Sequence, residues 1–534
     1  MASGEGKETY WSKHGGPDGP WDTIVIGSGM GGMTTAGLLA KCGHKVLVLE
    51  QHYVPGGFTH AFKRGKYQWD VGVHAIGEVT TRSMLGRILH NLTDGKLEWS
   101  SLGPVYDEFY FPDDLRIDFP DSPQQFRDNL LEAFPDEERA IDDYLFKITE
   151  VARGMKGFLK SRALPPSWWG KGLTRMMGGS AESLFQDRCE EVLDKITDNK
   201  KLQAVLTSQW GYHGSPPSRA SFAIQALVSR HFMHGAWYPT GGAPEIARQM
   251  LRGVAEAGGW TRVRADVDEI LVEKNKAVGV RLTSGEEIRS ARVVSAAGVM
   301  STARRLLPNH VDTDWVRSVD ALSPAPAHVC LYIGFKGDIR SAGAGAANKW
   351  FYETWKMEPA YWDVHPDRPP EEAPILYCSF PSLKDPHHDP GPELLHTGEA
   401  VTFVPWEIFE TWRDKKWKKR GDEYEAFKKA MGDRLLSQLL RHMPELEPMV
   451  DYVELSTPLS TDNFCRPIRG SIYGIEPTPE RYRCDALRAH TPIKNLFLSG
   501  SEVATVGVMG AMAGGMVAAM AVEPVRTGRL IGSL

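Results

Sequence analysis

The chain has 534 residues, too long for one ordinary core, so two intertwined domains, or one domain with inserted segments from a second, is the expected organisation. Its 42% hydrophobic and 24% charged composition excludes general disorder and a polytopic membrane protein. The formal net charge of -6 excludes the global basic footprint of a nucleic-acid binder.

Six scattered cysteines show neither CxxC spacing nor disulfide-scaffold density, so no metal site is expected and the thiols read as reduced. The first twenty residues are polar and lack an apolar signal region, which predicts a cytoplasmic protein.

Taken in chain order, the apolar run Thr23 to Ile26 meets a glycine cluster, a helical pattern through Lys41, and a second apolar run from Lys45 to Leu49. This is the strand, turn, helix, strand order of a dinucleotide-binding unit. From about Asp113 to Arg153, and again from Glu182 to Met233, the pattern is helical and predicts a helix-rich insertion. A helix over Pro244 to Val254 precedes the meander Arg262 to Val272, Val278 to Leu282 and Glu287 to Ser295. Further strands are predicted at Val329 to Phe335, Ile375 to Ser379, Val401 to Val404 and Asn495 to Leu498, with a long amphipathic helix over Glu423 to His442.

The expected fold class is α/β: a discontinuous Rossmann-type dinucleotide-binding domain with an inserted α+β substrate-binding domain. The predicted dinucleotide-binding parts are 21–112, 237–310 and 456–524; the helix-rich insertion spans 113–236 and the substrate-binding domain 311–455. The run Val503 to Val522 is uncharged and long enough to suggest a membrane anchor. Its Ala, Gly, Met and Val content suits a buried helix better.

Gly27, Gly29 and Gly32 form GxGxxG between strand and helix. The first permits a tight turn, the second lets backbone approach a pyrophosphate, and the third lets helix and strand pack closely. Glu50, eighteen residues after Gly32, ends the second strand where a carboxylate can accept from ribose hydroxyls. Gln51 follows it, and Gly56 and Gly57 allow a second close approach to a diphosphate, which argues for FAD over NAD. Near the C-terminus, Gly500 and Glu502 follow a strand, and Gly507 and Val508 open a helix whose N-terminus can face the flavin pyrimidine ring.

The runs Leu49 to Gly77, Leu202 to Gly242, Arg469 to Gly474 and Thr491 to Ala511 resemble the phytoene desaturase superfamily, most closely its retinol saturase and carotenoid isomerase branch. The resemblance implies a flavin amine-oxidase-like fold with non-covalent FAD and an apolar tunnel for a polyene or isoprenoid lipid. It also implies that Glu50 is the ribose acid, Gly56 and Gly57 the diphosphate loop, Val267 the backbone contact to adenine, and Glu502 the late acid near the pyrophosphate. The family usually has Asp where Glu502 stands, and vertebrate saturases have cysteines where Phe58 and Thr59 stand.

The expected activity is reduction of a carbon–carbon double bond, NAD(P)H being an admissible electron donor. Isomerisation, desaturation and action on an unsaturated fatty acyl chain stay open, as does catalysis-free prenyl-lipid binding of the escort-protein kind. His74 is the candidate acid or flavin-positioning group, against the ordinary reading of a buried, satisfied histidine. Tyr473 is the candidate proton donor or tunnel-lining residue, and Arg469 shares its loop. Asp70 and Glu78 read as turn or salt-bridge carboxylates, and Trp210, Tyr212, Trp237 and Tyr238 as either tunnel wall or core. Between Lys156 and Arg175, five basic residues, no acids, and Phe158, Trp168 and Trp169 suggest peripheral contact with a membrane surface.

Overall fold

The computed structural model describes residues 10–165, 183–308, 314–358 and 361–534. Two sheets organise it. The first has eight strands, and its parallel centre runs Trp260–Arg262, Val46–Leu49, Trp21–Ile26, Glu287–Ser295, with Leu496–Leu498 paired to the last of these. Val46–Leu49 is wholly apolar and buried, as expected of a parallel strand covered on both faces. The antiparallel meander Val267–Glu273, Lys276–Leu282 and Glu287–Ser295 joins this centre through its long final strand.

Helix Met30–Lys41 connects the first two parallel strands and packs along helix Gly507–Val522. Small residues set that approach: a Cβ on Gly515 would lie 2.5 Å from the Gly31 carbonyl oxygen. The uncharged C-terminal run is therefore mostly a buried helix. No helix among the described residues is long and apolar enough to cross a membrane.

The second sheet has seven strands in the order Val450–Ser456, Ala327–Lys336, Leu395–Val404, Ile375–Ser379, Asn348–Tyr352, Val105–Tyr110, Arg116–Pro120. Alternation along Ala327–Lys336 sends Val329, Leu331, Ile333 and Phe335 into a core shared with Met431, Leu435 and Leu439 of helix Asp422–His442. The opposite face turns Cys330 and Tyr332 toward the first sheet. One face thus anchors the sheet and the other closes over the site.

Some boundaries differ from expectation. The division at 112/113 passes through a hairpin, because Val105–Tyr110 pairs with Arg116–Pro120 and, on its other edge, with Asn348–Tyr352. The strand was hard to read because Asp107, completely buried and hydrogen-bonded to Tyr212 and Asn348, interrupts its apolar pattern. The insertion itself is helical beyond that hairpin, with Pro123–Ala133, Glu138–Ala163, Lys200–Thr207 and Phe222–Phe232. Of the basic aromatic segment, Phe158 is buried on helix Glu138–Ala163, while Trp168 and Trp169 lie outside the described residues.

Candidate active site

A cavity lies where the parallel strands end beneath the second sheet. Helices Met30–Lys41 and Gly507–Val522 both begin at its wall, and neither N-terminus is capped by a side chain. Orphan N–H groups and the positive dipole ends of two helices therefore meet in one cavity, an arrangement that attracts anions and developing negative charge.

The glycines make this approach possible. Gly27 turns the chain out of its strand at φ +94°, a left-handed conformation that side chains disfavour. A Cβ on Gly57 would stand 3.0 Å from the Gly29 Cα, so two loops touch at the cavity wall through glycine alone. Gly27, Gly29, Gly56, Gly57, Gly500 and Gly507 all line the cavity. Gly32 does not; a Cβ there would run into the Gly27 carbonyl, which makes it a packing glycine between helix and strand.

Glu50 is buried at the end of Val46–Leu49. Its Oε2 accepts from the Ser28 N–H at 2.9 Å and the Ser28 hydroxyl at 2.6 Å, and Oε1 accepts from the His52 N–H at 2.8 Å. A carboxylate offers about four lone-pair sites, so one acceptor site is left for a ribose hydroxyl. Beside it, Gln51 Oε1 and His52 Nε2 are buried without a hydrogen-bond partner. Val267 lines the same end at the start of its strand, and Val508 the opposite end.

Glu502 is also buried in the cavity wall, and its carboxylate accepts from the Val299 N–H and, at 3.1 Å, from the Ile475 N–H. It staples the loop after Glu287–Ser295 to the loop containing Tyr473. Burial raises its pKa against the pull of those N–H groups, so the negative charge that would repel a diphosphate is disfavoured.

His74 and Tyr473 both line the cavity. The Tyr473 hydroxyl donates to the Gly211 carbonyl at 3.2 Å, and burial raises its pKa above the ordinary tyrosine value. Its proton is thus directed into the protein. His74 Nδ1 lies 3.0 Å from Glu399 Oε2, while the residue lines the cavity. Burial, then the Lys384 charge, push the His74 pKa down to about 3. Arg469 is not at the wall; it is half-exposed and pairs with Glu407 at 3.3 Å.

Asp70, expected as a turn or salt-bridge carboxylate, is buried and accepts the Tyr238 hydroxyl, with burial and then Glu399 pushing its pKa up to about 7. Glu78 sits 3.8 Å from His231. Trp210, Tyr212, Trp237 and Tyr238 belong to the packed interior around the insertion and do not line the cavity.

Sequence reasoning missed Ser28, His328, Cys330 and Val401, and it missed the Ala296 to Gly298 turn, all of which border the site. The small residues after Glu287–Ser295 were a usable signal, as was polar alternation at His328 and Cys330. Nothing local marked Ser28.

The free acceptor site on Glu50, the unpartnered Gln51 and His52 atoms, the glycine-lined walls and the two uncapped helix ends fit a dinucleotide such as FAD. Fold and site together define a flavin-dependent oxidoreductase of the two-sheet amine-oxidase type.

The flavin containing amine oxidoreductase family model matches residues 30–405. All-trans-retinol 13,14-reductase of Danio rerio is 34% identical over 93% of this chain and 84% of its own. Prolycopene isomerase of Daucus carota is 25% identical over 82% of this chain and 69% of its own. Among solved structures, putrescine oxidase bound to putrescine superimposes with a TM-score of 0.60 at 14% identity, covering 95% of this chain and 99% of the other. The chain belongs to the flavin containing amine oxidoreductase family, within its phytoene desaturase superfamily and the retinol saturase branch of that group. It is an FAD-dependent oxidoreductase.

Proposed function

We propose that this enzyme saturates a carbon–carbon double bond in a polyene or isoprenoid lipid. Its similarity to a retinol reductase supports the substrate class. The observation that carries the reaction type is His74: a cavity-lining imidazole whose Nδ1 lies 3.0 Å from a buried carboxyl group, which leaves Nε2 for the substrate.

Bound FAD supplies hydride to one alkene carbon when reduced. The protein must hold the alkene, exclude water and protonate the neighbouring carbon. Gly27, Gly29, Gly56 and Gly57 would hold the diphosphate, Glu50 and Gln51 the ribose, Val267 the adenine, and Gly500, Gly507 and Val508 the flavin side, with Glu502 bracing the loops. Val401, Ile472 and the Tyr473 ring offer an apolar wall for the substrate beside them. His74 protonates the carbon, while Tyr473 packs against the lipid. NAD(P)H is the proposed source of electrons.

The test is anaerobic incubation of the reduced, FAD-loaded enzyme with all-trans-retinol and with carotenoids, followed by mass analysis. A product heavier by two hydrogens supports saturation. A product of unchanged mass with altered double-bond geometry moves the enzyme to isomerisation, the activity in the name of its carrot relative. No product from any polyene rejects the substrate class.

A further inference from the structure

Behind the cavity wall lies a set of ionisable groups that flavin binding does not require. Glu399 sits in the middle of Leu395–Val404, its side chain fully buried. It is two residues from Val401, so both project from one face, and Val401 is at the cavity. Across the strands its partners are Tyr332 and Ser379. His74 Nδ1 comes within 3.0 Å of Glu399 Oε2 but off the line of a hydrogen bond, and neither this nitrogen nor either Glu399 side-chain oxygen has a hydrogen-bond partner. On the far side, Lys384 Nζ donates to Ser379 Oγ and to the His74 carbonyl, both at 2.7 Å.

A purely structural reading leaves this group unexplained. A buried carboxyl costs several kcal/mol to desolvate, and an apolar residue of like size would pack the sheet without that cost. Here the carboxyl lies 3.0 Å from an imidazole that lines the cavity. Resting on the proposed double-bond reduction, we propose that Glu399 is the positioning residue that shares a proton with His74 Nδ1 and thereby makes the Nε2 proton available to the substrate.

The step balances. The Nε2 proton bonds to the carbon next to the one that accepts hydride from reduced flavin. The proton shared between Oε2 and Nδ1 settles on Nδ1, so the imidazole ends neutral in its other tautomer and Glu399 ends as carboxylate. Lys384, within the same network, offsets that negative charge. When product leaves, water in the cavity returns one proton to Nε2.

The groups facing the pair fix the pH behaviour. Tyr332 and Cys330 face it from Ala327–Lys336, Tyr377 from Ile375–Ser379, and Asp70 and Tyr238 from below; each titrates above its ordinary range through burial. His328 is pushed down to about 4 by burial and then His74, and Lys384 is brought down to about 7 by burial, partly opposed by Glu399 and Asp107. Glu399 itself is raised by burial, with Lys384 opposing. Proton loss from the pair therefore falls on the alkaline side, and reduction fails there.

The test uses full-length, FAD-loaded Glu399→Gln and Glu399→Asp. In single turnover, Glu399→Gln is expected to slow product formation by about 10²–10⁴-fold, the usual worth of a general acid. Its FAD content and the rate of flavin reduction are expected to stay at wild-type values. Glu399→Asp restores part of the rate and shifts the alkaline limb of the pH profile. Independently of activity, ¹⁵N NMR of the apoprotein is expected to show the His74 Nδ1 resonance moved by Glu399→Gln. A wild-type rate, an unshifted alkaline limb and an unmoved resonance in Glu399→Gln overturn the proposal. If Glu399→Gln fails to retain FAD, the Glu399→Asp pH profile decides: a shifted limb supports the pairing and an unshifted one overturns it. If the wild-type enzyme reduces no polyene, the function fails, while the NMR result still decides whether Glu399 and His74 share a proton.

Discussion

Gly514, midway along helix Gly507–Val522, packs its Cα against Gly500, so that a Cβ would overlap the Gly500 carbonyl and come 3.0 Å from its nitrogen. Gly500 sits at the cavity wall, and the same helix points its uncapped N-terminus there. Backbone atoms cannot swing aside as a flexible side chain would. Gly514→Ala is expected to cost about 1–3 kcal/mol through overpacking and to lower FAD occupancy by displacing the helix end. Thermal melting and the flavin absorbance per chain measure both. An unchanged melt with full occupancy rejects the contact.

Glu50 ties Ser28 and His52 together and retains one acceptor site toward the cavity. Glu50→Ala is expected to weaken FAD binding by about 10–100-fold, the value of one hydrogen bond to a charged group. Titration of the apoprotein with FAD, followed by flavin fluorescence, gives the ratio directly. Affinity within twofold of wild type would place the ribose elsewhere.

Tyr473 and His74 share the wall but differ in where their protons point. The Tyr473 hydroxyl is committed to Gly211, so Tyr473→Phe is expected to lose about 1 kcal/mol of stability and change turnover less than about tenfold. His74→Gln is expected to lose about 10²–10⁴-fold as the missing general acid. The reverse ranking would transfer the acid role to Tyr473.

His213 provides a test of burial away from the chemistry. It is completely buried, its Nε2 donates to Gln225 Oε1 at 3.0 Å, and burial pushes its pKa down to about 4 from an unfolded value of 6.5. Between those values the unfolded chain takes up a proton that the folded chain refuses. Stability present above pH 6.5 is therefore lost as the pH falls, by about 2 kcal/mol at pH 5. In His213→Gln the drop in urea unfolding free energy from pH 7 to pH 5 is expected to be smaller by that amount. An equal drop in both proteins would show that His213 takes up its proton while folded.

The dinucleotide unit was legible in the sequence because its determinants are local. The apolar run before Gly27, the glycine spacing, the helix through Lys41 and Glu50 at the next strand end all lie within one βαβ span, where period and turn chemistry suffice. The same holds for helix Gly507–Val522, whose small residues announce close packing. What the sequence could not decide arises from contacts between distant segments. The strand Val105–Tyr110 was hidden because Asp107 is buried, and a buried carboxylate looks like a surface residue until its partners Tyr212 and Asn348 are brought to it by the fold. Glu399 looked equally unremarkable in its strand. Only sheet register sets it two positions from the cavity-lining Val401, and only the packing of His74 over that sheet places an imidazole nitrogen 3.0 Å from its carboxyl. Local pattern is written in the order of residues, whereas the pairing of an acid with a histidine 325 positions away depends on two sheets closing on each other, and that is decided by tertiary packing alone.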